Sequence, residues 1–352
     1  MRRRRFLRRA GAGVGAATLL AGCKGAPAGA GDDTLTVATY SSFTGEDTAG
    51  AWLKSAFEDE HDGATVEFTT PQNGFNQYIQ RAQQGAPIDA DVYVGLNTGE
   101  LVRADQKLDR QLLAPIADDL EHADGVKPEL QIDPRGRAIP YDTGYISLVY
   151  NDHEVDDPGT FDALLAERYR GDLITENAQN SDTGRAFLLW TIHEKGADGY
   201  LEYWSKLLDN GVRVRKDWEP AYQAYTKGEA PMVVSYSTDQ VYYHGDDVDL
   251  AKHQVGFLND QGYANPEAMG VFADADSPEL ARQFVDFVLT ERAQAKIAVK
   301  NVQFPAVEGV DPGRSFSKYA LEPPNPVTFT YDELSGRVSG WIDDWARQVA
   351  GN

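Results

Sequence analysis

Strand and helix patterns alternate along this chain, and that alternation limits the folds open to it more than any other feature. Thr34–Tyr40 reads as a strand and Ala49–Glu60 as a helix with Trp52, Ala56 and Phe57 on one face. Ala64–Thr69 reads as a second strand, Asn73–Gln84 as a second helix, and Asp91–Gly95 as a short buried strand. Such alternation argues for a mostly parallel sheet flanked by helices. Ile146–Tyr150 is expected to carry the chain into a second lobe. There Phe161–Tyr169, Ala186–Lys195 and Gly199–Asp209 read as helices and Met232–Tyr236 as a strand. Met269–Ala273 is expected to return to the first lobe. Ser277-Pro278-Glu279 reads as a helix start, with a capping hydroxyl followed by proline at the first helical position. A last helix over Ser339–Val349 carries Trp341 and Trp345.

About 320 residues follow the N-terminal segment, which suits two lobes rather than one core. The expected division is 34–143 plus 265–352 for the first lobe and 144–264 for the second. In open α/β sheets ligands bind outside the strand ends, and hinge closure is the usual motion of such a pair.

The first 22 residues read as an export signal: Arg2, Arg3, Arg4, Arg5, Arg8 and Arg9, then a short apolar stretch and a small-residue cleavage site. That stretch is too short to span a bilayer comfortably. Arg3-Arg4-Arg5-Phe6-Leu7-Arg8 resembles a twin-arginine signal. Leu20-Ala21-Gly22-Cys23 resembles a lipobox, which implies cleavage before Cys23, the sole cysteine, and lipid attachment to its sulfur. A Gly/Ala/Asp tether, 23–33, follows. The expected location is the outer face of the cell membrane.

The formal charge is −22, and all six signal arginines fall in the segment expected to be removed. Acidic residues are spread along the rest, as in Glu58-Asp59-Glu60 and Asp118-Asp119. An evenly acidic surface favours solubility, fits a high-salt habitat, and argues against a nucleic-acid partner.

No His-Glu-x-x-His, Gly-x-Ser-x-Gly or Walker sequence is present, and there is no cysteine pair for zinc. A binding protein without catalytic machinery or cofactor is therefore expected. The informative residues are aromatics at loop ends. Tyr40 closes the first strand, Trp218 sits between strand and helix, and Tyr236, Tyr242 and Tyr243 follow a buried strand. Aromatic faces attract cations by roughly 0.5–2 kcal/mol each. Trp52, Trp190, Trp204, Trp341 and Trp345 fall within helical patterns and read as packing.

At these residues the chain resembles the periplasmic thiamine-binding proteins, the receptors of thiamine ABC importers. Thr39-Tyr40-Ser41-Ser42-Phe43, Ala90–Asn97, Pro140–Tyr145 and Phe187–Trp190 carry the resemblance, with Trp218-Glu219-Pro220-Ala221-Tyr222, Lys227-Gly228-Glu229, Ser235–Thr238 and Tyr242. It covers about Thr34 to Ala350. It implies a type II periplasmic binding protein fold, two α/β lobes joined by crossing hinge strands, with thiamine or its phosphates in the cleft. It also implies a membrane permease with a separate ATPase as partner, and a monomer.

The family's ligand contacts carry over at Tyr40, Trp218, Tyr236 and Tyr242. Ser181-Asp182-Thr183-Gly184 matches a family loop that opens a helix. Ser181, Thr183 and Gly184 are candidates to hold a hydroxyl or phosphate tail, and read equally as a helix cap. Asp142 is a candidate to balance ligand charge, or a structural crossover residue. Two family tryptophans are replaced, by Asp47 and by Val302; Asp47 is a candidate to supply charge to a cation. The main alternative within the fold is a ferric-iron receptor using Tyr242 and Tyr243 as phenolate ligands. Polyamine and phosphonate receptors are the others.

Overall fold

A computed structural model describes residues 33–245 and 247–351. The export signal, Cys23 and all of the tether but Asp33 lie outside the described residues. The strands are β1 (Thr34–Ala38), β2 (Thr65–Thr69), β3 (Val92–Leu96), β4 (Ile139–Tyr150), β5 (Leu173–Glu176), β6 (Arg213–Arg215), β7 (Met232–Tyr236), β8 (Gln254–Gly256), β9 (Gln261–Val271), β10 (Phe304–Pro305) and β11 (Asn325–Val327). Among the described residues they form one sheet, whose main path runs β2-β1-β3-β9-β4-β7-β5-β6.

β1 is parallel to β2 and β3, and β5 is parallel to β6 and β7. Two long strands join these parallel sets. β9 is antiparallel to β3 and β4, while β4 lies first against β9 and then against β7 and β8. The result is the expected fold class: two α/β lobes with crossing strands between them. Among the described residues no helix is long and apolar enough to cross a membrane.

Each lobe has its own core. In the first, helix Ala49–Glu60 starts at Thr48, whose Oγ1 accepts from the Ala51 amide. The helix buries Leu53, Ala56 and Phe57, and the Phe57 ring meets Phe284 edge-on with centroids 5.3 Å apart. Burying a side chain the size of Leu53 or Phe57 contributes roughly 1.5–3 kcal/mol. In the second lobe, Phe161, Phe187, Trp190 and Trp204 interlock as edge-to-face pairs. Trp190, Trp204 and Trp345 are buried, in keeping with the packing role expected of them.

Three local expectations differ from the structure. Phe161–Tyr169 is not an α-helix but two short 3-10 turns, Ala163–Leu165 and Glu167–Tyr169, because Ala166 is extended between them (φ −70°, ψ 145°). Its apolar spacing reflects burial of Phe161, Leu164 and Tyr169 rather than a helical face. Helix Pro278–Val288 begins as read, but the Ser277 hydroxyl makes no side-chain cap. It donates instead to the Thr34 carbonyl at 3.1 Å, tying the helix start to β1. The C-terminal helix Val338–Ala350 belongs with the second core, where Trp345 meets Trp204 edge-on at 5.3 Å. The expected division had placed it in the first lobe.

Candidate functional site

The crossing strands set the geometry. In the β4–β9 register Asp142 stands opposite Glu267, and Gly144 opposite Asn265. Both carboxylates are inside the protein, linked by a chain of polar groups. Asn301 Nδ2 donates to Asp142 Oδ2 at 2.8 Å and to the Tyr40 hydroxyl at 3.0 Å. Tyr40 donates to Glu267 Oε2 at 3.0 Å, and Tyr141 donates to the same oxygen at 2.5 Å. Asp142 Oδ1 is buried without a hydrogen-bond partner.

Burial, and then the Glu267 charge, push the Asp142 carboxyl well above its ordinary range. Burial also pushes Glu267 up, to about 7, with Asp182 adding to the effect and the two tyrosine hydroxyls opposing it. The Tyr40 phenol is raised by burial and by both carboxylates, so it stays protonated.

Asn301 reaches this site because helix Glu291–Asn301 ends at Val302 in the left-handed region (φ 57°, ψ 45°). That is a costly conformation for a β-branched residue, and strain of this kind concentrates at functional sites. Val302 separates Asn301, bonded to Asp142, from Gln303, whose Oε1 lies against Gly144. Gly144 has no room for a side chain: a Cβ there would overlap both Gln303 Oε1 and the Tyr236 ring.

Tyr236 ends β7 and therefore comes to the hinge from the second lobe. Its neighbour Ser235 accepts a hydrogen bond from Trp218 Nε1 at 3.0 Å. Trp218 is the first residue of helix Trp218–Thr226 and remains 37% exposed. Its ring stacks on Tyr222, with centroids 5.1 Å apart and planes at 27°. The Tyr222 hydroxyl donates to Asp239 Oδ1 at 2.6 Å, and the other Asp239 oxygen lies 2.8 Å from His253 Nδ1. Tyr243 stacks on His253 at 4.0 Å. Trp218 is thus an open platform backed by a fixed network.

The remaining candidates are placed as follows. Ser181 caps helix Asp182–Lys195: its Oγ accepts from the Gly184 amide at 3.3 Å and lies 2.8 Å from Thr183 Oγ1. Asp182 Oδ1 accepts from Asn97 of the first lobe and from Arg185, each at 3.0 Å. Tyr242 is 61% exposed and makes a ring contact with Tyr243 at 6.3 Å. Asp47 is exposed in the left-handed region (φ 64°), and its carbonyl accepts from Lys300 Nζ at 2.9 Å. Tyr40, Asp142 and Tyr236 therefore meet at the hinge, with Trp218 joined through Ser235. The Ser181–Gly184 turn is connected by the charge of Asp182, which acts on both Glu267 and Tyr236. Tyr242 and Asp47 stand apart at the surface. Among the described residues no cluster of three or more His, Cys, Asp or Glu is arranged to hold a metal ion.

Sequence reasoning missed Glu267, Tyr141, Asn301 and Gln303. One signal was available: Glu267 stands directly before the apolar run Ala268–Val271, and a charged residue in a buried strand calls for a partner.

Residues 52–323 match the family described as bacterial extracellular solute-binding protein. The thiamine-binding periplasmic protein of Escherichia coli is 26% identical over 317 residues, covering 90% of this chain and 93% of that protein. Iron uptake protein A1 of Synechocystis is 22% identical over 251 residues, 67% of each chain. A solved structure of a periplasmic thiamin binding protein superposes with a TM-score of 0.75 at 26% identity, covering 90% of this chain and 96% of that one.

Proposed function

The chain belongs to the bacterial extracellular solute-binding proteins, and on that premise we propose that it is the thiamine receptor of an importer. It is a solute-binding component and not an enzyme, like the relatives it matches over nine-tenths of its length. In this reading the ligand enters the hinge cleft, and the closed receptor delivers it to a membrane permease driven by a separate ATPase. Lipid on Cys23 holds the protein at the outer face of the cell membrane, and the acidic surface suits a salt-rich exterior.

One observation carries the ligand assignment. Two buried carboxylates, Asp142 and Glu267, face each other beside the rings of Tyr40 and Tyr236. Such a site lowers the energy of a flat organic cation. Thiamine supplies the positive thiazolium and an aminopyrimidine whose N–H groups can meet Asp142 Oδ1. Trp218 offers a further open face. The iron alternative draws less support: Tyr243 is stacked between His253 and Tyr222, and its ring lies at 57° to that of its neighbour Tyr242.

Thermal unfolding with added ligand tests the assignment. Thiamine at about 100 times its dissociation constant should stabilise the folded protein by about 2.7 kcal/mol. Ferric citrate should leave the midpoint unchanged. A shift with ferric citrate and none with thiamine would reverse the assignment.

A further inference from the structure

We infer that His244 is a positioning residue that fastens the two lobes over a bound solute and so sets how slowly the solute leaves. The inference rests on the receptor reading of the cleft, and on thiamine only for its choice of probe.

The two pieces that His244 joins belong to different lobes. The short helix Asp239–Tyr242 follows β7 and is fixed to the second lobe. Asp239 is held there by Tyr222 and His253, and Gln240 Nε2 donates to the His253 carbonyl at 2.9 Å. Helix Arg314–Tyr319 rests on the first lobe. It buries Phe316 against Phe304, with ring centroids 5.4 Å apart, and in one cluster with Ala298 of helix Glu291–Asn301. The latter helix places Ala293 and Ile297 in the first core. Val241 of the second lobe packs against the Phe304–Phe316 cluster.

His244 completes this junction with three contacts. Its Nδ1 lies 3.2 Å from the Gln240 carbonyl and its Nε2 lies 3.0 Å from Ser315 Oγ. Its ring stacks on Tyr319, with centroids 4.4 Å apart and planes at 21°. A carbonyl only accepts, so the neutral ring carries its proton on Nδ1, and Nε2 accepts from the Ser315 hydroxyl. One tautomer therefore holds its own loop by one edge, and the helix on the other lobe by its second edge and its face.

Contacts made only when the lobes meet stabilise the closed form and no other. Ser315 is exposed and His244 half-buried, so this junction is weak enough to part when the lobes open. Its loss shifts the balance toward the open form while leaving Tyr40, Asp142, Tyr236 and Trp218 untouched. One hydrogen bond and one ring stack together amount to about tenfold in that balance.

Stopped-flow fluorescence of the full-length protein with thiamine reads association and dissociation separately. His244→Ala should speed dissociation about tenfold and leave association within about twofold. Ser315→Ala removes only the hydrogen bond and should speed dissociation about threefold. The double variant should release thiamine no faster than His244→Ala, because Ser315 acts through the ring. An unchanged dissociation rate in His244→Ala, a change confined to association, or effects that multiply in the double variant would overturn the inference and leave the thiamine reading intact. Ser315→Ala alters an exposed residue and carries the test if His244→Ala fails to fold. If the wild-type protein takes up no thiamine, that reading fails, and small-angle X-ray scattering of the ligand-free protein decides the inference. His244→Ala should then show the larger radius of gyration, and identical radii would overturn it.

Discussion

Asp142 and Glu267 face each other across the two strands that join the lobes, and Asn301 and Tyr40 bridge them by hydrogen bonds. Two carboxylates so placed resist ionising together. Glu267 rises from an ordinary value of 4.5 to about 7, and Asp142 rises as well. Between those pH values the folded protein holds a proton that the unfolded chain has released. Stability should therefore be highest below about 4.5 for this pair and fall as pH rises through 7. A bound cation favours the ionised form, so binding should release protons near pH 6.5 and tighten as pH rises. Calorimetry in buffers of different ionisation enthalpy measures this directly. Proton uptake on binding would contradict it.

Trp218 contributes an open ring face rather than core packing. Trp218→Ala should weaken thiamine binding about tenfold, the scale of one cation–π contact. Unfolding free energy should change by no more than about 1 kcal/mol, because the ring is partly exposed. Tyr222→Phe should have a smaller effect on affinity, since it loosens the platform through its bond to Asp239 without removing it. Fluorescence titration alongside denaturant unfolding separates the two effects. An unchanged affinity for Trp218→Ala would take Trp218 out of the site.

Gly144 holds the Tyr236 ring and the Gln303 amide against bare backbone. Gly144→Ala should displace one or both and lower thiamine affinity about tenfold or more, through misplacement of the site. Circular dichroism of the variant should remain that of the parent. A variant with native affinity would show that Tyr236 need not lie against this strand.

Arg137 is structural. Its buried guanidinium bonds Asp133 through Nε at 2.9 Å and Asp105 through Nη1 at 2.7 Å; burial alone would raise these two carboxyls, but the hydrogen bonds from Arg137 outweigh it and hold both below the ordinary value. Arg137→Ala should destabilise the fold by about 3–5 kcal/mol, because it leaves buried charges unpaired. Urea unfolding gives the value, and thiamine affinity in the folded fraction should be unchanged.

The sequence was most legible where chemistry is local. Helix Ala49–Glu60 and strand Met232–Tyr236 were readable to the residue from the pattern of apolar residues, and Trp218 stood out by its place between strand and helix. What escaped depends on register between distant segments. Glu267 meets Asp142 only because β9 runs back along β4, and Asn301 reaches both only after the turn at Val302. The Ser277 hydroxyl was similarly drawn from its expected cap to a carbonyl far away in the chain. The C-terminal helix joins the second core through the Trp204–Trp345 contact, which no local pattern encodes.

The central claim is that the hinge cleft between Tyr40, Asp142, Tyr236 and Trp218 is a thiamine site. Isothermal titration of the metal-free, full-length protein with thiamine and, separately, with ferric citrate at high salt tests it most directly. The account predicts saturable one-to-one heat with thiamine, abolished in a variant carrying both Asp142→Ala and Trp218→Ala, and no heat with ferric citrate. Absence of thiamine heat, together with tight iron binding and a visible phenolate absorption band, would contradict it.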